Sequence, residues 1–349
     1  MKHIKLLLPL LFLANLLSFV SCNSKPDPAE DPKPGNTPNQ NKINWNVVNT
    51  SSASTLKAVY FTDNLQGWAA GHDGTILHTT DGGKAWTRQV TDSSFYLKDI
   101  FFTSNQNGWA VGSDIKEGDE LIISTTNGGE TWKEVVVDEV YGYFEGVYFV
   151  NATKGFIIGG TEYRSNFTKN VMLVTEDGGK TWQKHSFSNT RDAMMYDMMF
   201  TDNNSGWISA SEGHIYSTVD GGETWSSQGD GSWPHLYSIY MADANHGWAA
   251  GERNTIDETA DGGKTWENIE DADYYDFYTV FFTSPQTGWI AGESSINDER
   301  YIIKHTQDGG KTWTKQRTDR KEIIYDIFFK DATHGWAVGS FGSIFIYKP

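Results

Sequence analysis

Cys22 is the only cysteine among 349 residues. A disulfide within the chain is therefore excluded, and no set of thiolates exists for a metal centre. Arginine is also scarce, with seven at positions 88, 164, 191, 253, 300, 317 and 320. The 28 lysines and arginines face 45 acids, a net charge of −17 that argues against nucleic acid and anionic lipid as partners. No HExxH, GxSxG or Walker pattern occurs, and the nine histidines show no ligand spacing. Neither metal nor cofactor is expected. Long apolar runs are missing too: the longest, Leu6–Val20, falls short of the ~20 residues of a membrane span.

That run follows Lys2, His3 and Lys5 and reads as an export signal over residues 1–21. Ser21 and Cys22 at its end resemble the lipobox of bacterial lipoproteins, which makes Cys22 the expected lipidation site. Acyl chains there would hold a soluble domain at a membrane, at ~0.8 kcal/mol per buried CH₂. Residues 22–41 are proline-rich and nearly free of apolar side chains, so they cannot bury enough surface to offset the entropy of ordering. They are expected to form a disordered tether. The expected location is a bacterial cell envelope, periplasmic or surface-facing, with the membrane touched only through the lipid.

The remaining chain, residues 42–349, is repetitive. TTDGGKAW at Thr79–Trp86 returns five times, as boxes ending at Trp132, Trp182, Trp225, Trp266 and Trp313. Their acidic or amide positions are Asp81, Asn127, Asp177, Asp220, Asp261 and Asp308. Ahead of each lies Gly-Trp or Gly-Phe followed by small and aliphatic residues. Seven such signatures begin at Gly67, Gly108, Gly155, Gly206, Gly247, Gly288 and Gly335, in steps of 41 to 51 residues. A catalytic loop is normally unique, whereas a structural device recurs with the unit it builds, and this period is that of a four-stranded propeller blade.

Six places before each signature stands a large apolar residue, from Phe61 to Phe329, and two places before that another, from Val59 to Ile327. Between them lie Tyr60, Phe101, Tyr148, Met199, Tyr240, Phe281 and Phe328, so the first strand reads as apolar on both faces and packed between neighbouring blades. GWAAG-type segments form the second strand, TILHTT-type segments the third, and the segment from each box tryptophan the fourth. The box falls in the turn between strands three and four. There an Asp or Asn side chain accepts backbone hydrogen bonds, Gly supplies positive φ, and the tryptophan buries its ring against the neighbouring blade. The last repeat stops after its third strand, while INWNVVN at residues 43–49 places Trp45 where a box tryptophan belongs. The expected fold is therefore an all-β, seven-bladed propeller of four-stranded blades, its ring closed by the N-terminal strand. Closure removes two free sheet edges, and a monomer is expected.

The GWA(A/V)G signatures and ILHTTDGGKTW-like boxes resemble the Asp-box (BNR) propellers, and most closely the photosystem II stability/assembly factor family. The resemblance covers about residues 42–349 and rests on architectural residues. It implies an assembly chaperone that binds an immature reaction-centre protein on an arginine-rich surface; seven arginines depart from that pattern. Asp boxes also occur in sialidases and xyloglucan-degrading glycosidases. The Arg-Ile-Pro element typical of sialidases is absent, and the xyloglucan enzymes resemble two such propellers across a cleft where this chain has one.

Propellers generally bind at the face opposite the box turns. Four places before each aligned aromatic stand Lys57, Lys98, Glu145, Tyr196, Tyr237, Tyr278 and Tyr325, so four consecutive blades carry tyrosine at one register. Trp233 and His235 lie just before Tyr237, and Tyr274 and Tyr275 before Tyr278. These eight aromatic and histidine side chains form the candidate binding face, suited to stacking and hydrogen bonding with a peptide or glycan. One position further on, Asp99, Asp197 and Asp326 are candidates for lining the central channel. The acidic loop at 113–120 lacks the spaced ligands of a calcium loop and reads as solvated. The preferred function is a non-catalytic, membrane-tethered scaffold for a protein or peptide, acting in assembly of envelope proteins. A surface glycan-binding lipoprotein is the alternative, and a glycosidase the third reading.

Overall fold

The computed structural model describes residues 43–50, 52–116, 119–138, 140, 142–162, 168–187, 192–228, 234–269, 274–294 and 301–349. The leader, the tether and Cys22 lie outside them, as does Trp233.

Each repeat forms one antiparallel sheet, and in the first blade the order from the axis outward is Leu56–Phe61, Gly67–Gly71, Thr75–Thr79 and Thr87–Gln89. Inner strands of the next six blades are Phe95–Phe102, Tyr143–Phe149, Met195–Phe200, Leu236–Met241, Tyr275–Phe282 and Ile324–Phe329. Outer strands begin one residue after each box tryptophan, at Thr87, Lys133, Gln183, Ser226, Glu267 and Thr314. The seventh blade takes its fourth strand from Ile43–Val48, which pairs antiparallel with Ile344–Tyr347 and sets Trp45 opposite Tyr347. A short strand, Arg317–Thr318, then lies parallel along its outside. Seven blades and a closed ring are therefore the observed architecture.

The tryptophans divide the work of joining blades. The ring of Trp68 stacks on Phe102 of the next blade at 3.6 Å, and the box ring of Trp132 meets the same Phe102 edge-on at 5.9 Å. Trp336, Phe61 and Trp86 repeat the stack, and so do Trp248, Phe282 and Trp313. The box ring thus reaches the interblade core by way of its own blade's phenylalanine, while the Gly-Trp ring makes the crossing. At the seam Trp45 meets Phe329 edge-on at 5.6 Å, the box tryptophan's geometry supplied by the N-terminal strand. Such pairs contribute ~0.5–1.5 kcal/mol each beyond the area they bury. Four of the crossing indoles, those of Trp68, Trp207, Trp248 and Trp336, also donate to the first box glycine's carbonyl of the next blade, as Trp68 to Gly128 at 3.0 Å and Trp336 to Gly82 at 3.0 Å.

One reading of the inner strand is corrected. Val59, Phe61 and their equivalents are buried between blades, but Tyr60, Phe101, Tyr148, Met199, Tyr240, Phe281 and Phe328 are only half-buried and surround the channel axis. Neighbouring members touch ring to ring, for example Tyr60 with Phe101 at 4.7 Å and Tyr240 with Phe281 at 4.5 Å. This collar lines the channel at the end where the box turns lie.

Candidate functional site

All seven inner strands break register with the second strand at one place, between Leu56 and Ala58 in the first blade and at the matching position in every other. The extra residue at each bulge is Lys57, Lys98, Glu145, Tyr196, Tyr237, Tyr278 or Tyr325. A β-bulge re-aims a side chain. Here it turns seven of them inward, around a cavity of about 340 Å³ at the channel mouth opposite the boxes. In the first blade the chain before the bulge passes close to the glycine ending the GWAAG signature: a Cβ on Gly71 would lie 2.0 Å from the Thr55 carbonyl oxygen. Blade four keeps its bulge with Ala210 at that position.

The four bulge tyrosines form a continuous arc. Ring centroids are 5.1 Å apart for Tyr196 and Tyr237, 5.6 Å for Tyr237 and Tyr278, and 5.2 Å for Tyr278 and Tyr325. The Tyr237 hydroxyl donates to Glu252 Oε1 at 2.7 Å, and that of Tyr278 to Glu293 Oε1. Burial, and then the adjacent carboxylate, push both phenols up. Lys57 closes the arc with its ammonium 3.3 Å from the Tyr325 ring centroid, while Lys98 pairs with Glu145 at 2.8 Å. Burial, followed by the Lys98 charge, lowers the Lys57 amine to about 8. The mouth is therefore two-sided, with lysines over blades one and two and aromatics backed by carboxylates over blades four to seven.

Not every aromatic expected on this face is there. His235 abuts the arc, 6.1 Å from Tyr196, and its Nδ1 accepts from the Glu212 N–H. Tyr274 is exposed. Tyr275 is not a surface residue: it is fully buried in blade six, where its hydroxyl accepts from Lys315 Nζ at 2.7 Å. Alternation along the strand explains this, since Tyr275 shares a face with the core residue Phe277.

Below the arc, Asp99, Asp197 and Asp326 line the same cavity and bridge blades. Asp99 accepts from the N–H of Ile100 in its own strand and from Val147 in the next blade at 2.8 Å. Asp197 accepts from Ile239 at 3.0 Å and Ser238 Oγ at 2.9 Å, and Asp326 from Val59 at 2.8 Å. Ser238 and Thr279 perform the same bridging in blades five and six, accepting from Val280 and Ile327. All three side chains are half-buried at the channel wall. Burial pushes Asp99 up to about 8 and Asp326 to about 7, and raises Asp197 as well. Among the described residues no group of three or more His, Cys, Asp or Glu is placed to hold a metal ion.

The boxes lie at the opposite end and make closed turns. Thr175 Oγ1 donates to Asp177 Oδ1 and accepts from the Gly179 N–H, while both Asp177 oxygens take bonds from Thr181. These bonds hold Asp177, Asp220 and Asp261 down at about 2. Asn127 keeps the pattern by accepting from the Thr131 N–H and donating to its hydroxyl. In the first box Ala85 donates its N–H at 3.0 Å but brings no hydroxyl. In the described part of the 113–120 loop, Asp114 accepts from the Lys116 N–H, and Lys116 pairs with Asp92.

The sequence reading passed over Glu252 and Glu293, although both follow the second-strand signature directly, in GWAAGE and GWIAGE.

The family model described as photosynthesis system II assembly factor YCF48 matches residues 37–140 and 232–322, more than half of the chain. The chain belongs to this family. A YCF48 relative, the photosystem II assembly lipoprotein Ycf48 of Picosynechococcus sp., is 33% identical over 81 residues, which are 23% of this chain and only 20% of that relative. A solved structure described as YCF48 bound to D1 peptide superposes with a TM-score of 0.70 at 21% identity, over 88% of this chain and 98% of that one. YCF48 from Cyanidioschyzon merolae gives 0.68 at 17% identity, over 88% and 99%. The GH74 enzyme of Niastella koreensis also gives 0.68, at 13% identity, over 86% of this chain and 53% of the enzyme. At these identities the structural likenesses establish the fold.

Proposed function

We propose that this YCF48-family propeller is a non-catalytic scaffold that binds a protein or peptide partner at the channel mouth ringed by the seven bulge residues. The observation that carries the reading is the arc of Tyr196, Tyr237, Tyr278 and Tyr325, held side by side on rigid inner strands, with Glu252 and Glu293 fixing two of its hydroxyls. Tyrosine offers rigid amphipathic contact area at low entropic cost, and a platform built on strands is already organised before the partner arrives. Family membership supports an assembly role, and the related propeller described as bound to D1 peptide supports a peptide as the kind of ligand. The client here is a protein of the cell envelope, and the scaffold works from a membrane to which a lipid on Cys22 holds it.

The test is capture of a partner from solubilised native envelope, beside a Tyr237→Ala/Tyr278→Ala variant. Losing both rings is expected to weaken capture at least tenfold with little change in melting temperature, because both side chains are only half-buried. Equal capture by the folded variant would remove the mouth as the site. The same tyrosines suit a glycan face by stacking; specific retention on a polysaccharide array, with no protein captured, would replace the peptide reading by that one.

A further inference from the structure

The channel has a second opening, at the box end, where a cavity of about 610 Å³ leads into the aromatic collar. Directly behind it a smaller space of about 180 Å³ is lined both by collar side chains and by Asp99, Asp197 and Asp326. We propose that this opening is a binding site separate from the tyrosine arc, which takes a lysine or arginine side chain of a partner polypeptide. The aliphatic stem lies within the collar and the cationic head meets the three carboxylates.

Three observations select a long cation over other occupants. First, the collar offers six aromatic rings and Met199, all half-buried, around a space open to solvent. Contiguous apolar surface of this kind marks an interaction site, its ring faces attract cations, and long basic side chains cover apolar surface with their stems. Second, the acids behind the collar lack a balancing cation among the groups lining that space. Asp99 uses two acceptor positions on neighbouring N–H groups, and a carboxylate has about four. Burial disfavours their ionised form, and a cation seated beside them would draw them into it. Third, the charge at the two ends differs. The box-end rim carries Asp202 and Asp243, held ionised by backbone N–H groups of their own turns, against one lysine, Lys330. At the opposite mouth Lys98 is paired with Glu145, which leaves the Lys57 ammonium, over the Tyr325 ring, opposing a cation that approaches the same acids from that side. A neutral apolar ligand would leave the acids' remaining acceptor positions unused, and an anion would be opposed by Asp202 and Asp243 at the rim.

The inference stands apart from the tyrosine-arc reading, and its test uses the whole protein with defined probes. The capped tripeptides Ac-Ala-Arg-Ala-NH₂ and Ac-Ala-Lys-Ala-NH₂ are titrated by calorimetry and by chemical shift, with citrulline and norleucine peptides as neutral counterparts. Saturable binding is expected for the cationic pair and binding at least tenfold weaker for the neutral pair. Asp99→Ser with Asp326→Thr, which installs residue types that already bridge blades five and six, should weaken cationic binding tenfold or more. Phe281→Leu keeps an apolar collar but removes a ring face, and should also weaken it, so the test survives if the aspartate variant does not fold. The Tyr237→Ala/Tyr278→Ala protein should bind the probes as the wild type does. Norleucine binding equal to arginine would make the site simply apolar; loss in the tyrosine variant would move the cation to the other mouth; absence of saturable binding at millimolar probe would leave no site. Each of these three results overturns the proposal.

Discussion

Asp99 shows how one residue can join blades and still respond to solvent. Its two oxygens tie its own strand to Val147 of the next blade, yet burial, with Asp326 and Asp197 facing it, disfavours the ionised form. An unfolded aspartate titrates near ~3.9. Folding raises Asp99 to about 8 and Asp326 to about 7, so the folded protein binds more protons than the unfolded chain between those limits. Their contribution is fully present below about pH 4 and is lost as pH rises through about 8. The box acids have the opposite sign. Asp177, Asp220 and Asp261, held at about 2, stabilise above about pH 4 and lose that contribution as pH falls towards 2. His72, lowered by burial to about 4, has the opposite slope up to about pH 6.5, and Lys57, lowered to about 8, has it above pH 8. Between those limits melting temperature should therefore decline, and Asp99→Ser with Asp326→Thr should flatten that decline while leaving the acid limb unchanged. A wild-type curve level across that range, or a variant falling as steeply, would contradict this account.

Among the elements, the box hairpin was the most legible in sequence, because each of its letters has a local task. Gly263 illustrates it: φ is +84°, and a Cβ there would sit 2.6 Å from the Trp207 indole nitrogen of the preceding blade. Left-handed backbone costs a non-glycine residue ~1–2 kcal/mol. Gly263→Ala is expected to lose about that much or more in denaturant unfolding, with the capture proposed for the tyrosine arc retained; an unchanged midpoint would show that the turn relaxes freely. Blade count and the closing strand could be read for a similar reason, since Trp45 keeps a box tryptophan's spacing to its neighbours. The inner strand was harder. Plain alternation puts Tyr60 with Ala58 on one face, but it cannot tell a face packed against another blade from one bordering a channel, because both are apolar here. The bulge has no letter of its own either. In six blades it lies against the glycine that ends the second-strand signature, yet blade four has it with Ala210, so the seven residues it gathers appear in sequence only as an aligned column. Tyr275 was misjudged because nearness in sequence to Tyr278 says nothing about which side of the strand it occupies.

At the scale of the whole molecule, the proposed function requires that the propeller be held at a membrane. If Cys22 carries lipid, Cys22→Ser should move the protein from the membrane to the soluble fraction and abolish labelling by a palmitate analogue. Membrane retention of that variant without label would count against the anchor.

The seam of the seventh blade has a further consequence, one of timing. Ile43–Val48 is made early in synthesis, but its partner Ile344–Tyr347 is made some three hundred residues later, the longest-range pairing in the fold. Blades one to six can pack as they emerge, each on its predecessor, while the first strand waits unpaired. Contacts this distant in sequence carry a large loop-closure cost and form slowly. Ring closure should therefore be the last event of folding. Until it occurs, the nascent chain displays an open strand edge at each end, the interval in which it is most exposed to aggregation and most in need of being shielded.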